Sequence, residues 1–173
     1  MSSNLKERLI DLCLLIPLQI YFVLMNVTVE RFYCQTPFDN VTDKRFLVQE
    51  TIAFCKANNP LFLERPRWMQ VATCISAYGY APFYCIIMFA ALTNKWHKFR
   101  IVILFFIGAK FNALAFYHIM EFTSTTPPQN LLPYFAVEGP YLVSMILVVI
   151  RIIQSSKIGG GSSKATIKKK KTK

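Results

Sequence analysis

A four-helix, all-α membrane bundle is the fold this sequence predicts, and three observations predict it. Four apolar stretches, at 9–29, 68–93, 101–122 and 131–153, each reach the ~20 residues an α-helix needs to cross a hydrocarbon core of ~30 Å. Hydrophobic residues make up 54% of the 173-residue chain and charged residues 17%, whereas soluble domains run near ~45–50% and ~25%. Charge is also segregated: eight of the twenty basic residues lie from Arg151 onward, with no acid among them. A soluble all-helical core is the alternative, since buried helices can also be apolar all round, but four such stretches are hard to bury in a chain this short.

The first stretch, 9–29, exceeds the ~7–15 residues of a signal-peptide core and lacks a small-x-small cleavage site. It is therefore read as the first spanning helix. The loop at 30–67 follows, where Asp43 can cap a short helix over 44–57 that carries Leu47, Val48, Ile52, Phe54 and Cys55 towards one face. Asn58-Asn59-Pro60 ends that helix, which is positioned to cover the mouth of the bundle or to lie against headgroups. Trp68 opens the second stretch as an interfacial aromatic, and Trp96 falls in the short turn at 94–100. Pro17, Pro82 and Pro140 sit inside spanning stretches, where each removes a backbone donor. Such breaks persist in membranes where neighbours or a cavity satisfy the freed groups. Residues 1–153 thus form the membrane domain. Residues 154–173 read as a flexible basic tail containing Gly159-Gly160-Gly161-Ser162-Ser163.

Orientation follows from the basic residues. With both termini cytosolic, Lys6, Arg8, Lys95, Lys98, Arg100 and the eight tail residues share the cytosolic side. The loop at 30–67 then carries six, nearly balanced by Glu30, Asp39, Asp43, Glu50 and Glu64, with Arg65 and Arg67 as a mild objection. The net charge of +11 brings no nucleic-acid recognition module with it. A basic tail beside a membrane helix fits anionic lipid headgroups instead.

Five cysteines without regular spacing give neither a zinc motif nor a readable disulfide framework. Cys13, Cys74 and Cys85 read as small apolar fillers. Cys34 and Cys55 share the first loop and can pair if that loop faces an oxidising lumen. Asn40-Val41-Thr42 is a glycosylation sequon in the same loop.

Ionisable groups at membrane depth are the sharpest functional signal, since charge there is costly and usually faces the bundle interior. Glu138 lies about a third of the way into the fourth stretch, and Lys110 near the middle of the third. Their depths differ, so an ion pair between them needs long side chains and a tilt. Asp11, His118 and Glu121 lie nearer helix ends, within reach of water or headgroups. No nucleophile motif, phosphate loop or metal-spaced cluster is present, and no cofactor is implied. Lys170 and Lys171 fit the dilysine pattern read by cytosolic coat machinery to retrieve membrane proteins to the endoplasmic reticulum, an address that works only on a cytosolic tail.

Four helices, a long first loop, Asn59-Pro60-Leu61-Phe62-Leu63-Glu64-Arg65-Pro66-Arg67-Trp68 and Val137-Glu138-Gly139-Pro140-Tyr141-Leu142 together resemble the sigma-2 receptor family. That family belongs to the EXPERA superfamily, with the emopamil-binding sterol isomerases. The resemblance covers roughly 5–153 and the C-terminal lysines. It implies a multi-pass protein of the endoplasmic reticulum, with nuclear envelope and endolysosomal membranes as further locations, often homodimeric. It also implies an intrabundle pocket for sterols or hydrophobic amines and a part in cholesterol homeostasis with a lysosomal cholesterol exporter. The family's ligand-holding aspartate falls on Asn26 and its buried glutamate on Ser76, neither acidic. Other pocket positions fall on Met69 and Ala72, a pocket tyrosine falls on Glu138, and the next aromatic is kept as Tyr141. The inferred site is therefore Asn26, Met69, Ala72, Ser76, Glu138 and Tyr141, with the carboxylate moved across the pocket to Glu138.

The favoured function is non-catalytic binding of a sterol-like lipid and regulation of its traffic. The enzyme alternative, a sterol Δ8–Δ7 isomerase, needs a proton donor and a separate base, and only Glu138 is in a position to serve. A scaffold or chaperone for another membrane protein is the third class.

Overall fold

The structure is a computed structural model that describes the backbone of residues 3–39 and 42–170, with side chains at 5, 7–39 and 42–155. In chain order the helices are α1 (Glu7–Gln35), α2 (Val48–Asn58), α3 (Pro60–Glu64), α4 (Arg67–Thr93), α5 (Trp96–Phe122) and α6 (Leu131–Lys170). There is no strand among the described residues. Four of these helices are long and apolar enough to span a membrane: α1, α4, α5 and α6 through Ser155. They make an all-α, four-helix membrane bundle. Both ends of the described chain lie on one side, the terminal end, while α2 and α3 cover the other, the loop end.

Lipid explains the outer face. Ile101, Phe105 and Leu132 are 83%, 75% and 86% exposed, a waste of apolar surface in water and the expected state against acyl chains. Inside, Ala90 and Ala91 have no exposed surface, and such small residues let helices approach closely. The two helices next to Pro17 and Pro82 are not broken. Wide π-helical turns at Asp11–Leu15 and Ser76–Tyr80 precede these prolines, and a widened turn accommodates the missing donor and the bulky ring. Pro140 sits within continuous helix.

The first span runs six residues past its expected end at Val29, because Glu30 and Arg31 continue the helix to Gln35. The third begins at Trp96 rather than 101. The backbone of α6 remains helical to Lys170, beyond the expected boundary at Ile153, through three glycines that each cost about 1 kcal/mol relative to alanine. Asn40 and Lys171 lie outside the described residues, as does the side chain of Lys170.

Polar clamps close both ends of the bundle. At the terminal end Asp11 is fully buried, not water-facing as its position near a helix end suggested. Arg151 grips it twice, Nε to Oδ1 at 2.7 Å and Nη2 to Oδ2 at 2.8 Å, and donates from Nη1 to Glu7 Oε2 at 2.7 Å. Trp96 donates from Nε1 to Asp11 Oδ2 at 3.3 Å and is itself buried, so it is a core residue of the clamp rather than an interfacial belt. Arg151 thereby leaves the basic tail and becomes a bundle residue. Arg8 donates from Nη1 to the Ala91 carbonyl at 2.7 Å and from Nη2 to the Leu92 carbonyl at 3.3 Å, adding donors to the exposed carbonyls at the end of α4.

At the loop end Arg65 performs the same service for α1. It donates to the Tyr33 carbonyl from Nε at 3.1 Å and from Nη2 at 2.6 Å. The arginine that argued against the proposed orientation thus has a structural role there. Cys34 is bonded to Cys74, with Cα atoms 5.4 Å apart, a span within the usual ~4.4–6.8 Å. Neither the Cys34–Cys55 pairing nor a filler role for Cys74 holds. The extension of α1 lays its last turn against α4, while Cys55 turns inwards on α2, where burial pushes its thiol up to about 12. The loop helix starts at Val48, four residues later than 44, because Leu47 adopts a left-handed conformation at its N-terminus. Asp43 caps a turn instead, accepting from the Arg45 amide at 3.1 Å and from Arg45 Nε at 2.8 Å. These bonds hold its carboxyl down at about 2.

Two expected outcomes follow from the clamps. Asp11→Leu leaves Arg151 Nε and Nη2 without their buried acceptor while Nη1 keeps Glu7 and Gln154, a broken buried pair of the kind that costs about 3–5 kcal/mol. Thermal unfolding in detergent, followed by tryptophan fluorescence, should fall sharply, and Asp11→Leu with Arg151→Met should recover most of the loss. Non-reducing digestion and mass spectrometry should return a Cys34–Cys74 peptide, whereas a Cys34–Cys55 peptide would contradict this arrangement.

Candidate functional site: a cavity between the clamps

Between the two clamps the helices part around a cavity of about 360 Å³, within the ~300–1,000 Å³ typical of small-molecule sites. Its walls come from all four spanning helices, and its roof from Phe54 of α2, Phe62 of α3 and the flanking residues Leu47 and Asn59. The loop helix therefore covers the mouth of the bundle, one of the two placements expected of it. Its burial pattern supports this, with Val48, Ile52 and Cys55 all buried. The floor is aromatic. Tyr141 stacks on Phe22 with ring centroids 4.2 Å apart, and Phe83 stacks on Phe106 at 4.8 Å. This layer fills the middle of the bundle and confines the cavity to its loop-end half.

Of the six residues inferred from the sequence, Ala72, Ser76, Glu138 and Tyr141 line this cavity. Asn26 and Met69 do not. Met69 is fully buried in a separate cluster with Tyr33 and Leu61, because its helical phase points it towards the end of α1. Asn26 is fully buried one layer back, between α1 and α4. Its Nδ2 donates to Glu30 Oε2 at 2.6 Å and lies 3.3 Å from Ser76 Oγ. Asn26 is a positioning residue, and the group it positions is Glu30.

Glu30 is the residue the sequence reading missed. Ending the first helix at Val29 assigned it to a solvent loop. The structure instead carries the helix onward through a π-helical turn at Asn26–Glu30 and sets Glu30 in the cavity wall. A second π-helical turn, Ser76–Tyr80, faces it on α4 and brings Ser76 and Tyr80 to the same wall. Such turns recur where side chains must be re-aimed at functional sites. The available signal was spacing: a glutamate four residues after a buried asparagine lies one turn above it on the same face.

Glu138 lines the opposite wall and accepts no hydrogen bond from any described residue, so its carboxyl does not fasten the helix contact near Pro140. Lys110 lies on the floor. It is buried, and its Nζ lies 4.8 Å from the Tyr80 ring centroid and 4.6 Å from that of Tyr141. It forms no ion pair within 4.0 Å among the described residues, so the Lys110–Glu138 bridge is absent. Lys110 also borders a smaller chamber lined by Gln19, Tyr84 and Ser144, where Gln19 Nε2 donates to Ser144 Oγ at 2.6 Å.

Behind the roof, Glu121 is fully buried rather than interfacial. It accepts from Asn59 Nδ2 at 2.6 Å and from the Tyr134 hydroxyl, which lies 2.8 Å from His118 Nδ1. This cluster ties the α2–α3 junction to α5 and α6. The arrangement as a whole can hold one elongated apolar molecule and engage a single polar end through carboxylate, hydroxyl and ammonium groups. No His, Cys, Asp and Glu grouping suited to a metal ion occurs among the described residues. No protein-family model, curated protein or solved structure matches the chain.

Proposed function

We propose that this membrane protein binds a sterol-like amphiphile within its bundle and serves, without catalysis, in sterol homeostasis of the endoplasmic reticulum. The observation that carries the reading is an apolar cavity at membrane depth whose acidic groups, Glu30 held by Asn26 from behind, Glu138 and the roof's Glu50, stand beside Ser76 and Lys110 in a few places. Apolar walls with a small number of placed polar groups are what a lipid with one polar end requires. The bond-making groups are those of the resemblance in altered form: one helical turn separates Glu30 from the position where the sigma-2 receptor family carries its aspartate.

Both termini are proposed to face the cytosol. The basic residues of the terminal side support this, and so does the loop-end disulfide, since disulfides persist in oxidising lumens. The resemblance to the sigma-2 receptor family supports the endoplasmic reticulum as the residence.

A second reading draws on one specific observation. Glu30, Glu138 and the exposed Glu50 of the roof all line the cavity, so it holds three carboxyl groups where the sequence offered one, and sterol double-bond isomerisation needs a donor and a base. One experiment separates the readings. Purified protein in lipid discs is exposed to a photoreactive 3-hydroxysterol and, in parallel, to a Δ8 sterol. Binding without catalysis predicts saturable crosslinking that falls at least about fivefold in Glu30→Gln and Tyr141→Ala, with no Δ7 product. Turnover lost in Glu30→Gln or Glu138→Gln would establish the isomerase, and crosslinking unchanged in every variant would remove these residues from the site.

A further inference from the structure

We infer that Lys110 is a built-in cation that makes the cavity select a neutral hydroxylated headgroup and turn away cationic amines. The inference rests on the lipid-binding reading of the same cavity and adds to it the chemical class of the ligand's polar end.

An ammonium ion at mid-membrane persists only where the bundle gives it partners. Lys110 is 6% exposed, and its Nζ stands within 5 Å of two aromatic ring centroids, Tyr80 and Tyr141. Both tyrosines line the cavity, as do Glu30 and Glu138. Aromatic faces beside carboxylates are the elements that recognise an ammonium ligand. Here the protein's own lysine occupies the aromatic faces. Without it the lining would hold the carboxyl groups of Glu30, Glu50 and Glu138 and no cation, a strong attraction for a protonated amine. With it, an incoming amine meets a like charge in a site of low dielectric, where repulsion is poorly screened.

A neutral hydroxyl meets no such conflict. It accepts a hydrogen bond from the ammonium and donates one to a carboxylate, and so answers both kinds of group at once. Tyr141 stacks on Phe22 beneath the lysine, which fixes the height of the ammonium at the cavity floor. The selectivity is thus set by a residue that need not change place when the ligand arrives.

The test is direct binding of a tritiated tertiary amine with an arylalkyl tail, measured by equilibrium dialysis against protein in lipid discs. Lys110→Met and Lys110→Gln should each bind the amine at least about tenfold more tightly than the natural protein. Lys110→Arg should stay near the natural value, and Glu30→Gln added to Lys110→Met should erase most of the gain. Equal amine affinity in the natural protein and both neutral variants would overturn the inference, provided either variant elutes as a monodisperse species. Crosslinking of the photoreactive hydroxysterol, run on the same preparations, tests the underlying reading separately. Its failure with an amine gain in Lys110→Met would leave Lys110 as the selector and remove the sterol.

Discussion

A bundle in hydrocarbon must satisfy its buried polar groups from within, and this requirement organises the molecule. Helix association in lipid gains little from burying one apolar side chain against another, because acyl chains are equally apolar. The contacts that distinguish one arrangement from another are therefore polar or closely packed. Here they gather at two levels. Arg151, Asp11, Glu7 and Trp96 clasp α1, α5 and α6 at the terminal end. At the loop end Arg65 closes α1, Cys34 is joined to Cys74, and Asn59, Glu121 and Tyr134 hold down the roof.

The cavity is what remains between these two levels. The π-helical turns at Asn26–Glu30 and Ser76–Tyr80 widen facing helices at one height, and the aromatic layer around Phe22, Phe106 and Tyr141 limits its depth. Its polar groups are unlike those of the clamps. Asp11 and Glu121 have their hydrogen-bonding capacity taken up by neighbours, whereas Glu138 accepts no hydrogen bond from any described residue and Lys110 stands over two aromatic rings with no ion pair within 4.0 Å among the described residues. The contrast separates groups that build the bundle from Glu138 and Lys110, the two on which the proposed binding rests.

Much of the fold was legible in the sequence because hydropathy reports directly on lipid contact. Three of the four spans end within two residues of the loop-side boundaries read from composition. Asp11 and Arg151 were not legible as a pair, since 140 residues separate them and each looks like an ordinary charge near a helix end. Glu30 was hidden for a related reason. An acid at the edge of an apolar run reads as the start of a loop, and only the π-helical turn that carries it inward shows otherwise. Ser76, Ala72, Glu138 and Tyr141 reached the cavity as expected, while Asn26 and Met69 missed it by helical phase, which a sequence position does not specify once wide turns intervene.

On the proposed reading, one amphiphile with a rigid apolar body and a neutral polar end fills the cavity. The most direct measurement is mass spectrometry of the lipid that stays with the protein through purification in a mild detergent. The account predicts a hydroxylated sterol-class molecule enriched over its abundance in the source membrane, at close to one per chain. Retention of bulk phospholipid alone, in the proportions of that membrane, would contradict it.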